Sequence, residues 1–211
     1  SFYLNLAQNK FDLKNTFLYI AFLLLTITFS TAQEKKKIII ENSDFVDMNQ
    51  TEIPGAIVFT GNVRIIHNGV RMVCNKAYHF KDENYVKAFG NVQMNQGDTI
   101  TMNSRYAEYN GDKEFAFATG DVILRSPEST LTTDTVYFDK KNQLASYNTH
   151  GTIRNKENTL RSKSGYYFVD QKKYKFTTAV TVTNPESTIK TNNLDYYENS
   201  GHAYVFGPST I

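Results

Sequence analysis

Apolar and polar positions alternate with a period of two along most of this chain. In Gly61-Asn62-Val63-Arg64-Ile65, Val63 and Ile65 fall on one face of an extended segment, and Asn62 and Arg64 on the other. The same parity pairs Val92 with Met94, Val122 with Leu124, and Val180 with Val182. The phrase starts at Gly61, Gly90, Gly120 and Gly151, at intervals of 29, 30 and 31 residues. A weaker copy, Thr178-Ala179-Val180-Thr181-Val182, follows, and Gly207-Pro208-Ser209-Thr210-Ile211 opens another. A repeat of this length predicts a small unit stacked on copies of itself, because one unit cannot bury its apolar face alone.

Aligned on the glycine, each unit reads as strand, turn, strand, turn, strand. The first strand begins at the Gly and carries the alternating Val. A polar turn follows, such as His67-Asn68-Gly69 or Ser126-Pro127-Glu128-Ser129, built from residues that accept positive φ or start turns. The second strand runs from an apolar residue to an aromatic one: Met72 to Phe80, Met102 to Tyr109, Leu131 to Phe138, Leu160 to Phe168, Ile189 to Tyr197. After a further turn, the third strand, for example Val86 to Phe89, leads into the next Gly. No sustained helical period appears after Ala32. The expectation is an all-β fold of stacked antiparallel strands, an elongated, twisted jelly roll or solenoid with repeats of about 29 residues. Its inside is apolar and its two ends are open sheet edges that invite pairing.

Composition supports β-structure: 14 Tyr and 15 Phe but no Trp, with 11 Gly and 4 Pro. With 23 Lys and Arg against 21 Asp and Glu, no basic face for nucleic acid is implied. One cysteine, Cys74, excludes an intrachain disulfide, and its parity with Val70 and Met72 predicts a small buried hydrophobe. The histidines His67, His79, His150 and His202 occupy unrelated slots of the repeat and are expected at the surface or in turns. No nucleophile elbow, phosphate loop or metal-ligand spacing is present, so no enzyme, cofactor or metal is expected.

Residues 17–29 form an uncharged apolar run, preceded by Lys10 and Lys14 and followed by Ser30-Thr31-Ala32. At 13 residues it is shorter than the roughly 20 that span a bilayer, which predicts a secretory signal helix cleaved after Ala32. A retained membrane anchor is the alternative. The expected organisation is therefore 1–32 as upstream residues and signal, 33–50 as a lead-in, and 51–211 as the β-repeat domain, truncated at its C-terminus.

The phrases Ile57-Val58-Phe59-Thr60-Gly61-Asn62-Val63, Phe115-Ala116-Phe117-Ala118-Thr119-Gly120-Asp121-Val122 and Leu131-Thr132-Thr133-Asp134-Thr135-Val136-Tyr137-Phe138 resemble the organic-solvent-tolerance family, OstA, also called LptA. The resemblance covers most of residues 38–211. It implies a β-jelly-roll in the periplasm, associated with the inner or outer membrane, that carries lipopolysaccharide with acyl chains in its interior. It also implies edge-to-edge assembly with itself or other Lpt-type jelly rolls. Short bridges, anchored LptC-like forms and the amino-terminal domain of LptD all fit it.

On that reading, the candidate lipid-binding inner face is Val63, Ile65, Met72, Val92, Met94, Met102, Val122, Leu124, Leu131, Ile153, Leu160, Val180, Val182 and Ile189. Arg64, Arg71, Lys76, Lys87, Arg105 and Arg125 are candidates for headgroup phosphate, or simply solvated strand faces. A structural or adhesive rod with a filled core is the competing function. An open apolar slot would separate the carrier from the rod.

Overall fold

The computed structural model describes residues 36–49, 53–97 and 100–211. The chain divides into two units, Ser1–Lys35 and Lys36–Ile211. The first contains the expected signal helix and lies outside the described residues. The described residues hold no helix, so none among them is long and apolar enough to cross a membrane.

Among the described residues, fifteen strands form one antiparallel sheet: β1 (Ile39–Asn42), β2 (Phe45–Asp47), β3 (Ile57–His67), β4 (Val70–Phe80), β5 (Tyr85–Gln96), β6 (Ile100–Asn110), β7 (Phe115–Arg125), β8 (Thr130–Asp139), β9 (Leu144–Tyr147), β10 (Gly151–Arg154), β11 (Thr159–Ser162), β12 (Ser164–Phe168), β13 (Lys173–Thr183), β14 (Thr188–Tyr197) and β15 (His202–Phe206). From β3 to β8 each strand pairs with its neighbours in sequence. Tight polar turns make this possible. At β3–β4, Asn68 and Gly69 take φ of 44° and 82°, the positive-φ pair that suits the twist of a hairpin.

At Gly61, Gly90 and Gly120 the phrase does not start a strand, contrary to the expectation of three strands per unit, whereas Gly151 does begin β10. The first three copies each lie in the middle of one. Gly90 (φ 72°) and Asn91 (φ 46°) are consecutive left-handed residues inside β5, as are Gly61 and Asn62 in β3 and Gly120 and Asp121 in β7. Pairing continues on both sides: Phe89 faces Tyr106 before the corner and Val92 faces Ser104 after it. One extra residue, Gly90 and Asn91 standing opposite Arg105 alone, bends the strand while the ladder survives, which is the action of a β-bulge. Glycine is required there, since a Cβ on Gly90 would stand 2.8 Å from Asn75 Nδ2 on β4. The third and first pieces of successive units are thus one bent strand, and the repeat is a hairpin of two bent strands.

Because every corner falls in line, the sheet folds over along that line into two walls whose inner faces meet in one core. Between β8 and β13 the strands break at the corner instead of bending. β9 and β12 continue one wall, β10 and β11 the other. The Tyr147 ring fills this break. A Cβ on Gly151 or Gly165 would come within 2.4 Å or 2.6 Å of it, and its hydroxyl pairs with Ser162 Oγ at 2.7 Å.

The lead-in joins the sheet as well. β1 and β2 pair with the two halves of β3, and Ile38, 4% exposed, enters the core. The buried Asn84 amide holds this segment, accepting from Ile38 N (2.8 Å) and donating to the Lys36 carbonyl (3.1 Å).

Candidate functional site

All fourteen residues predicted for the inner face lie on one wall, in two rows. The middle row is an unbroken register of directly paired side chains: Ile65, Met72, Met94, Met102, Leu124, Leu131, Ile153, Leu160, Val182, Ile189. The row beside the corner holds Val63, Val92, Val122 and Val180, each paired with a small residue: Cys74, Ser104, Thr133 and Thr191. Alternation places these residues inward and the left-handed corner fixes their depth. The result is an aliphatic wall whose middle row crosses ten strands, about 40 Å at the ordinary spacing between strands.

The facing wall was missed in the sequence. Beside the corner it presents Ala77, Ala88, Ala107 and Ala118, each 0% exposed, then Val136, Phe176 and Leu194. Near the mouth, where the walls meet opposite the corner, aromatic and small residues alternate: His79, Val86, Tyr109, Ala116, Phe138, Ala145, Tyr167. Tyr174 and Tyr196 continue this row. The signal was available: small and aromatic residues recur two apart, as in Ala107 and Tyr109 or Val136 and Phe138.

Polar side chains bridge the mouth. Tyr109 Oη meets His67 Nδ1 at 2.9 Å, while His67 Nε2 donates to the Lys36 carbonyl, also at 2.9 Å. Gln96 Nε2 donates to Gln143 Oε1 at 3.2 Å. Tyr174 Oη lies 2.6 Å from Ser129 Oγ, which donates to Glu198 Oε1 at 2.6 Å; Tyr167 Oη donates to the other Glu198 oxygen at 2.9 Å. Asn155 Nδ2 donates to Tyr196 Oη at 2.6 Å. Burial pushes the Tyr109, Tyr174 and Tyr167 hydroxyls above their ordinary range, with nearby carboxylates adding to it, so they stay protonated. Asn68 and the Glu114 carboxylate, itself paired with Lys140 at 3.3 Å, add a further contact.

Two expectations change. His67 and His79 are buried, at 4% and 6% exposure, while His150 and His202 are exposed. His67 ends β3 on the inner parity and finds two hydrogen-bond partners there; His79 stands in the inner row, 6.3 Å from the Phe59 ring. The interior is also filled rather than open. Thirteen of the fourteen predicted residues are 0–7% exposed, with Ile189 partly buried, and a residual space beside Met94, Gln96, Met102, Leu124 and Phe138 amounts to about 10 Å³. That is barely room for one water.

Cys74 is buried as expected, and burial raises its thiol to about 11. Of the candidate cations, Arg64, Arg71, Arg105 and Arg125 face solvent, and Lys76 and Lys87 are half-buried among outward rings. Outside the mouth, a polar groove of about 410 Å³ lies between residues 126–130 and 154–156. No cluster of three or more His, Cys, Asp or Glu able to hold a metal occurs among the described residues.

The family model described as OstA-like protein matches residues 35–192. The chain belongs to the OstA-like family. The matched span of this OstA-like chain runs from just before β1 into β14, so it contains both walls over most of their length. Among solved structures, the chain is similar to LptH of Pseudomonas aeruginosa, described as the LptA-homologous periplasmic component of the lipopolysaccharide transport device. The identity is 18% and the TM-score 0.47, covering 53% of this chain and 94% of that one. No curated protein matches.

Proposed function

We propose that this OstA-like protein is a non-enzymatic carrier of acylated lipid, lipopolysaccharide in the first instance, in the periplasm. The observation that carries the reading is the aliphatic row from Ile65 to Ile189, paired without a gap. Opposite it, the mouth is closed largely by polar side chains. Membership of the OstA-like family supports the same reading.

Energetics favour an interior that opens for cargo. Burying an acyl chain of a dozen carbons stabilises by about 10 kcal/mol, at roughly 0.8 kcal/mol per methylene. A hydrogen bond exchanged for water costs about 1 kcal/mol net, so parting a few contacts across the mouth is outweighed several-fold. The polar groove outside the mouth, with Arg154 and Lys156, is where a phosphorylated headgroup would rest. Export through the segment at residues 17–29 and edge-to-edge assembly through β15 or the β1–β2 edge complete the proposal. Exposed apolar side chains at those edges support it: Phe45 at 74%, Tyr204 at 53% and Phe206 at 52%.

The filled interior favours a second reading, a structural rod. Mass spectrometry of lipids extracted from protein purified from envelopes separates the two. The carrier predicts stoichiometric acylated lipid. Lipid-free protein that also fails to bind a fluorescent fatty acid would leave the rod.

A further inference from the structure

The outward faces of the two walls differ in charge. On β8, β10, β11, β13 and β14, consecutive neighbours in the sheet, the residues on either side of Leu131, Ile153, Leu160, Val182 and Ile189 point to solvent, and every one is Arg154, Arg161, Lys190 or threonine. Threonine suits a strand, so its abundance follows from propensity. The charges do not. Arg125 of β7, in register with Thr130, adds a fourth cation, and all four are exposed. Among the described residues none of the four is in an ion pair, and Arg125 donates only to the Asn103 amide oxygen, at 2.7 Å. The whole chain carries 23 Lys and Arg against 21 Asp and Glu, so a face with cations alone is a local segregation.

Carboxylates flank this face without entering it. Asp121 and Asp134 stand at the corner, the former paired with Arg105 at 3.0 Å, and Glu128, Glu157 and Glu186 lie in the turns at the mouth. On the other wall the outward carboxylates Glu108, Asp139 and Asp195 are engaged by Tyr85, Asn142 and Lys173, so that face of a second copy offers the four cations no partner.

We propose that this face of threonine and arginine rests on the headgroups of an anionic phospholipid bilayer. The cations occupy two rows about 7 Å apart and spread over six strands, about 24 Å, so they meet many dispersed phosphates instead of converging on one. Guanidinium groups donate to phosphate oxygens in pairs, and the threonine hydroxyls between them donate singly. The face lies outside the wall, and its use does not depend on what the interior holds.

Co-sedimentation of the full chain with phosphatidylcholine vesicles containing about 30% phosphatidylglycerol, compared with phosphatidylcholine alone, tests this. The readout is the ratio of the two affinities, because insertion through residues 17–29 is common to both vesicles. A ratio well above one is expected, collapsing in about 1 M salt, where charges are screened beyond about 3 Å. Each cation at an anionic surface is worth about fivefold, so Arg125→Ser with Arg161→Ser should lower the ratio about 25-fold and Lys190→Ser alone about fivefold. Lys175→Ser, exposed on the outward face of the other wall, should leave it unchanged. A ratio near one overturns the proposal, as does an equal loss in Lys175→Ser. Tighter binding to soluble dextran sulfate than to the anionic vesicles overturns the bilayer as occupant.

Discussion

Single residues set the bend on which everything else depends. Gly90 holds φ of 72°, and the equivalent corner in β13 is made by Thr178 and Ala179, at 67° and 52°. A β-branched residue in left-handed conformation is strained by roughly 1–2 kcal/mol. The same substitution logic should therefore run in opposite directions at the two corners. Gly90→Val, which adds both strain and a clash with Asn75, is expected to lower stability by about 2 kcal/mol or more. Thr178→Gly should raise it by about 1 kcal/mol, the strain relief exceeding the added freedom of the unfolded chain. Urea midpoints of the two variants check both signs. The repeated glycine was visible in the sequence, and its place inside a strand was not, because a left-handed pair reads equally well as a turn between strands.

At the scale of elements, the outward face of the aromatic wall carries its own network. Phe89 packs on Tyr78 at 4.7 Å and on Tyr106 at 5.0 Å, and Phe117 on Tyr137 at 5.4 Å, each pair spanning adjacent strands. Within it, Tyr85 and Tyr106 both donate to the Glu108 carboxylate, tying β5 to β6. Burial by itself would raise the Glu108 pKa; the two phenol hydrogen bonds and the charge of Lys87 outweigh it and leave the carboxyl below its ordinary value. A carboxyl depressed in the folded state stabilises fully above its unfolded pKa, about 4.3, and that contribution is lost as pH falls through the folded value. Glu108→Gln should therefore melt lower than wild type at neutral pH and converge with it on acidification. Thermal melts from about pH 6 down to about pH 3 would show it, and a constant gap between the two curves would count against this role. Across the mouth, Tyr174→Phe keeps the stacked ring and removes only the contact with Ser129, so it is expected to cost about 1 kcal/mol by the same measurement.

For the unit Lys36–Ile211 as a whole, two edges remain. Among the described residues, β15 pairs only with β14, and β1 and β2 pair only with β3. Strand edges with exposed aromatic residues are templates for further pairing. Concentration-dependent growth in sedimentation velocity is expected for the wild-type protein and not for Tyr204→Lys with Phe206→Lys; growth unchanged in that variant would exclude the β15 edge. The sequence by itself determined which segments are extended, most of the hairpin turns and the inward parity of all fourteen aliphatic positions, though not that pieces of successive units join into one bent strand, because a period of two assigns each side chain to a face without reference to distant residues. Tertiary structure alone decided that the strands fold over at the corners, which second face closes against the first, and that tyrosines bridge the mouth. Those outcomes rest on partners such as His67 with Tyr109 and Ser129 with Tyr174, 42 and 45 residues apart in the chain. Alternation names the face a residue occupies, and only the folded sheet determines what that face meets.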